Sequence, residues 1–355
     1  MDDVARDKVC AGMTIASISR TSIYVAAGRA IGAREPDVTV RNPDNVAERL
    51  LGDPNSLDVD HPAVRALALP YDDAMSQPEV VNIVRMMMIR TRFIDAALER
   101  AIAGGATQLV ILGAGFDSHA YRCRQLLEHV RVFEVDRAAT QALKRERVRE
   151  ALGEVPPNLT YVAIDVQHED LGDVLSRHGH DRAQRTFFIM EGVTMYVEEQ
   201  GIRRTLRLVG DHPAGSGIVF DFVPRATIEM LARIDINNVP AAARPFLQRF
   251  LDLIKDEPWV FGIPLGSEAA FLGEFGLDVR EVLAIGGPES IARYLTKADG
   301  TQVGAKTLEA MMARMAAGAA EGGGSPAGQP PMTPERMREQ QRQTAYQLVE
   351  AVVRG

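Results

Sequence analysis

The chain is poor in cysteine: Cys10 and Cys123 are the only two in 355 residues. Two cysteines cannot staple a fold, and no CxxC pair is present to grip zinc. Disulfide scaffolds and zinc modules are excluded, and a reducing, cytoplasmic setting is expected. Long apolar runs are also missing. No window nears the ~20 residues that a membrane-spanning helix requires. The opening MDDVARDKVC is charged where a signal peptide would be apolar. Basic residues are not in excess: 40 Lys and Arg face 48 Asp and Glu, a net charge of −8, which disfavours nucleic-acid binding. There is no repeat at solenoid spacing. What remains is a globular balance of 46% hydrophobic and 25% charged residues. It points to one or two domains and a small-molecule partner.

Organisation comes from periodicity. Residues 14–34 predict a helix in their second half, and residues 35–75, rich in Asp, Pro and Asn, read as irregular. Ser76-Gln77-Pro78-Glu79 looks like a capping box opening a long helix that stops at Gly104-Gly105. Five short apolar runs then follow: QLVIL (108–112), RVFEVD (131–136), LTYVAID (159–165), TFFIMEG (186–192) and GIVFDFV (217–223). Helix-length segments such as 138–152 separate them. This alternation predicts an α/β, doubly wound, mainly parallel sheet covered on both faces. Residues 224–264 interrupt it as a helical insertion after the fifth strand, able to cap a pocket. Segment 268–285 returns to helix and strand. Residues 318–335 read as a flexible Gly/Pro loop. The stretch 345–355 predicts a returning edge strand. The whole is read as a single domain: a lid (1–75), a core (76–223), a cap (224–264) and a C-terminal part (265–355).

In such folds ligands bind at the carboxyl ends of the strands. The first strand runs into LGAGFDSHAYR. Gly113 and Gly115 let the backbone turn and approach a ligand. A dinucleotide loop needs a third glycine, and Ser118 stands there instead, beside Asp117. A carboxylate repels a pyrophosphate and suits a cationic or hydroxyl-bearing ligand. Asp136 ends the second strand 21 residues after Gly115, where it can accept from ribose hydroxyls or cap the next helix. Asp165, with Val166, sits where an adenine edge would lie, or acts as a turn residue. Glu191 follows four apolar strand residues and needs a partner, either a ligand ammonium or an Arg. On the long helix, Arg90 and Arg92 point about 200° apart. Met86, Met87, Phe93 and Ile94 surround Arg90, so it is a charge on an apolar face that demands a counter-charge. Arg92 has Asp95 as a local partner. His168, His178 and His180 lie in a polar segment without ligand-spaced Cys or acid, so they read as solvated and no metal is expected.

Together RTRFID (90–95), residues 108–122, VFEVD (132–136), IDV (164–166), FFIMEGVTMYVEEQ (187–200) and EPWVFGI (257–263) resemble the leucine carboxyl methyltransferase family, with SRTSIYVAAGRAI (19–31) similar to its N-terminal motif. The resemblance covers about residues 15–295. It implies a Rossmann-like, seven-stranded class I methyltransferase sheet binding S-adenosylmethionine. Arg90 is implied for the methionine carboxylate, Gly113 and Gly115 for the loop, Asp136 for the ribose, Asp165 and Val166 for adenine, and Glu191 near the methionine end. His119 departs from the family, where Arg is usual, and the tail after residue 300 is longer than expected.

The expected reaction is O-methylation of a carboxylate, which is already ionised at pH 7 and needs no base. Arg20, Tyr24 and Tyr196 are the substrate-orienting candidates, by family position and side-chain type. For a phenol or alcohol acceptor, His119 would be the first base to test. An NAD-linked oxidoreductase shares the fold but meets Asp117 and Ser118 where phosphates would sit. A non-enzymatic S-adenosylmethionine-binding protein is the third reading.

Overall fold

One seven-stranded sheet organises the computed structural model, which describes residues 20–54, 57, 60–164, 169–236, 239, 244–255, 257–321 and 345–355. The strands are β1 (Gln108–Leu112), β2 (Arg131–Asp136), β3 (Leu159–Ala163), β4 (Thr186–Met190), β5 (Gly217–Phe222), β6 (Leu277–Ala284) and β7 (Gln347–Val353). Their order is β3-β2-β1-β4-β5-β7-β6. Pairings among β1 to β5 are parallel, and β7 runs antiparallel to both neighbours. Strand order reverses between β1 and β4, the crevice where doubly wound sheets bind ligands.

Alternation builds two cores. Leu109, Ile111, Phe187 and Ile189 face one side of the sheet. Val110, Leu112, Phe188 and Met190 face the other. Every residue of β1 and β4 is buried, so both strands read as continuous apolar runs rather than alternating ones. The first core holds α1 (Arg20–Gly32) and the long α5 (Pro78–Ala103). Between them lie α2 (Ala47–Leu51), α3 (Pro62–Ala66) and α4 (Tyr71–Met75), where composition alone suggested irregular chain. Pro62 sits in the first turn of α3 and Pro78 in that of α5, where proline costs no hydrogen bond.

The start of α5 differs from the expected capping box. Gln77 is the N-cap and makes no side-chain cap bond. Ser76 ends α4 and its hydroxyl donates to Asp73 O at 2.7 Å. Pro78 at the first helical position moves the cap one residue past the serine.

A one-turn α6 (His119–Arg122) follows β1. Next come α7 (Ala138–Leu152) as predicted, α8 (Leu171–Arg177) and α9 (Glu199–Gly210). The insertion after β5 contains α10 (Arg225–Arg233) and α11 (Arg244–Ile254). Later come α12 (Glu268–Gly273), α13 (Pro288–Tyr294) and α14 (Ala305–Glu321). The loop expected over 318–335 therefore begins within a helix, and residues 322–344 lie outside the described residues.

β7 is a strand, as expected, but not an edge. It lies between β5 and β6, and six of its seven residues are buried. Its Glu350, 1% exposed, lies 2.8 Å from Arg280 of β6 and receives a very short bond from Arg100 of α5. One charge in an apolar strand is held from two elements. His180 also departs from expectation. It is buried against Phe133, Phe188 and His212, with Nε2 3.2 Å from Thr186 Oγ1. The return of the chain to β4 folds it under the sheet.

Candidate active site

A cavity of about 620 Å³ opens at the carboxyl ends of the strands, within the range of small-molecule sites. Its floor is the turn after β1. Gly113 has φ 63° and Gly115 φ 34°, both in the left-handed region. A Cβ at Gly113 would also lie 2.4 Å from Val193 Cγ2, so only glycine fits. The Asp136 carboxylate accepts from Gly115 N–H at 2.6 Å and from Arg137 N–H at 2.7 Å. It pins the turn to the end of β2 and keeps lone pairs for a ligand's hydroxyls. From below, Lys144 of α7 donates to Ala114 O at 3.2 Å and pairs with Glu134 at 2.9 Å. Burial pushes the Glu134 carboxyl up to about 7, against the opposing effect of Lys144.

Arg90 has the counter-charges its apolar face requires. It is 3% exposed, lies 2.7 Å from Glu191 and donates to Asp221 at 3.1 Å. Burial opposes its charge, but the two acids outweigh burial and hold it above its ordinary pKa. Asp221 also accepts from Gly192 N–H at 2.6 Å. Burial raises its pKa, and Arg90 lowers it. Arg29 of α1 pairs with Asp44 at 2.8 Å, donates to Phe116 O at 2.7 Å and approaches Glu191 at 3.8 Å. The buried acids therefore match both arginines. Arg92 is half-buried and donates to Arg41 O at 3.2 Å. Its expected partner Asp95 is instead held by Arg122 and His119.

A third wall is aromatic and hydroxylic. Tyr24 of α1 stacks on His61 at 4.5 Å, and Tyr196 lies in a 3₁₀ turn after β4. Tyr346 packs edge-on against Trp259, with ring centroids 5.5 Å apart. Burial raises the phenol pKa of all three tyrosines. Thr21 donates to Glu257 at 2.7 Å, and both line the cavity.

The cavity brings together Arg90, Gly113, Gly115, Asp117, Asp136, Glu191, Tyr24 and Tyr196. Arg20 is not among its lining residues. It lies exposed in the first turn of α1, and Arg29, about two and a half turns further on, lines the cavity instead. His119 does not line it either. It is 2% exposed behind Asp117, flanked by two carboxylates, so it is not placed to act as a base on a substrate. Asp165 and Val166 lie outside the described residues. Beside them, Ile164 N–H donates to Asp136 O at 3.0 Å. Asp117, His119 and Glu191 bring ligand-type atoms within 4.8 Å of one another; Glu191 contacts Arg90 and Asp117 contacts the imidazole, each cation being shared with a second acid.

Sequence reasoning missed Asp221, Arg29, Glu257 and Tyr346. Asp221 carried the signal that singled out Glu191: an acid inside an apolar strand. Arg29 also carried one, a charge amid AAGRAIG.

This sheet order, with one reversed strand and a glycine turn after β1, is the fold of class I methyltransferases. The chain belongs to the leucine carboxyl methyltransferase family, whose model matches residues 22–210, from α1 to the end of α9. Two curated relatives are each named "Putative S-adenosyl-L-methionine-dependent methyltransferase". The one from Streptomyces avermitilis is 32% identical over 194 residues, 54% of this chain and 66% of that protein, just under two thirds of its length. The one from Streptomyces coelicolor is 32% identical over 247 residues, 68% of this chain and 81% of that protein. A solved Thermobifida fusca structure, described as a "putative methyltransferase", aligns with a TM-score of 0.46 at 14% identity over 92% of this chain and 98% of that one.

Proposed function

We propose that the chain is an S-adenosylmethionine-dependent methyltransferase acting on an oxygen of a small molecule. The observation that carries this is one cavity joining the glycine turn, the Asp136 carboxylate and the Arg90–Glu191–Asp221 cluster. The residues fit the cofactor. Asp136 keeps acceptor capacity for ribose hydroxyls. Asp117 and Glu191 suit an ammonium, and the Arg29 and Arg90 guanidiniums suit a carboxylate. Two buried donors on lining residues, Arg90 Nε and Thr140 Oγ1, have no hydrogen-bond partner among the described residues, and a ligand would satisfy them. Asp117 would face phosphates in the NAD reading, which supports the phosphate-free cofactor.

When bound, S-adenosylmethionine supplies an electrophilic methyl group on its sulfonium. The chain's own work is alignment and exclusion of water. For a carboxylate acceptor, the hydroxyls of Tyr24 and Tyr196 orient the acid and no base is needed. Calorimetry with S-adenosylmethionine, S-adenosylhomocysteine and NADH tests the cofactor. Binding of NADH alone overturns the reading.

Glu257 favours a second acceptor class. An acid on the acceptor wall repels a carboxylate and can accept the proton of a phenol or alcohol. If the acceptor is a hydroxyl, Glu257→Gln slows labelled-methyl transfer by about a hundredfold or more. If it is a carboxylate, the same change leaves the rate unaltered or raises it.

A further inference from the structure

Behind the cofactor loop a chain of four charges runs from Arg122 through Asp95 and His119 to Asp117, and only its last member enters the proposed cofactor site. Arg122 grips Asp95 of α5 with two nitrogens, at 2.7 and 2.5 Å. Asp95 Oδ1 lies 3.1 Å from His119 Nε2. His119 Nδ1 lies 2.8 Å from Asp117 Oδ2, and His119 N–H donates to Asp117 Oδ1 at 2.8 Å. Asp117 then lines the cavity. Both ring nitrogens thus lie within ion-pair distance of carboxylate oxygens, Nδ1 in hydrogen-bonding geometry and Nε2 without it. A neutral imidazole carries one N–H, so one nitrogen would turn a lone pair toward an anion. At 2% exposure no bulk water softens that repulsion. A doubly protonated ring removes that repulsion. Two carboxylates and two cations then balance. The ring and the backbone N–H together fix both oxygens of Asp117.

We propose that His119 is a positioning residue: as an imidazolium clamped between Asp95 and Asp117, it keeps Asp117 ionised and aimed at the ammonium end of the cofactor. This rests on reading the cavity as an S-adenosylmethionine site. Burial alone would push Asp117 toward its neutral acid, and His119 and Lys144 hold it well below the usual carboxylate range. Burial lowers the imidazole's own pKa, Asp117 and Asp95 raise it, and the result is about 9 despite Arg122. The other ionisable groups nearby are Glu191, whose carboxylate approaches the His119–Asp117 pair, and Cys123 and Asp44, which act on Arg122. An arginine at this position would supply the same positive charge without a titration near pH 9.

The test uses two ligands that differ by the amino-acid end. S-adenosylhomocysteine carries the ammonium, and 5′-methylthioadenosine lacks it. Near neutral pH, His119→Gln weakens S-adenosylhomocysteine binding by about tenfold or more and leaves 5′-methylthioadenosine within about twofold. His119→Arg recovers most of the loss. Above about pH 9 the ligand's own amine also titrates, so His119→Arg is the baseline, and wild type loses more affinity than that variant. Equal weakening of both ligands by His119→Gln would mean that the residue only holds the loop together, and it overturns the proposal. No weakening of either overturns it too. If His119→Gln does not fold, Asp95→Asn takes its place with the same two-ligand comparison. Wild type that binds neither ligand overturns the reading of the cavity itself.

Discussion

Arg90 stands at the centre of the site's charge, and what surrounds it decides what its loss would do. Removing it leaves Asp221 without a cation in a buried pocket and Glu191 with only Arg29, 3.8 Å away. Breaking a buried pair in this way costs about 3–5 kcal/mol. Arg92, two residues on, has one backbone contact and a half-wet face. Arg90→Ala is therefore expected to lower the urea midpoint sharply and abolish S-adenosylhomocysteine binding, while Arg92→Ala costs under about 1 kcal/mol. Equal losses at the two positions would mean that the two acids do not depend on Arg90. The helix period alone separated these arginines, because one faced Met86, Met87, Phe93 and Ile94. Asp95 could not be assigned that way. Its partners, Arg122 and His119, come from the turn after β1, and only the tertiary fold brings them across.

Elements carry the site where side-chain pattern and backbone agree. The five core strands were legible because each is a short apolar run between turn signals. The glycine turn was legible because no other residue type serves there. β7 was legible as a strand but not in its place. An edge strand and a central one both read as β-branched runs, and nothing local marks Glu350 as the acid that two arginines hold. It is 1% exposed and bound to Arg100 and Arg280. Glu350→Gln should cost about 1–3 kcal/mol, because two cations lose their anion. Chemical denaturation measures it. A cost below about 0.5 kcal/mol would show that Glu350 does not help seat the strand. The short helices within 47–75 were illegible because five residues carry too little periodicity. Glu257 and Tyr346 were illegible as site residues because distant segments converge on the cavity.

For the whole molecule, two buried groups pull stability in opposite directions with pH. His180 ionises near 6.5 when unfolded, and burial lowers it to about 4 in the fold. Between those values the unfolded chain binds more protons, so this contribution is complete above about 6.5 and is lost as pH falls. Glu134 goes the other way, from 4.5 to about 7. The folded state binds more protons, so this contribution weakens as pH rises through that range. Between about pH 4.5 and 6.5 the two slopes oppose each other. His180→Gln should make stability fall more steeply with rising pH in this window, and Glu134→Gln should do the reverse. Urea midpoints taken across the window decide it; unchanged slopes in both variants would show that neither group titrates there.

The placement of β7 also orders assembly in time. β5 and β6 are both synthesised before it, yet in the finished sheet they never touch each other. Until residues 347–353 arrive, each presents an unpaired row of backbone donors and acceptors toward a gap one strand wide. Nascent chains halted before β7 should therefore be the most prone to intermolecular strand pairing, and closing that gap completes the backbone pairing of β5, the strand that carries Asp221 of the Arg90 cluster.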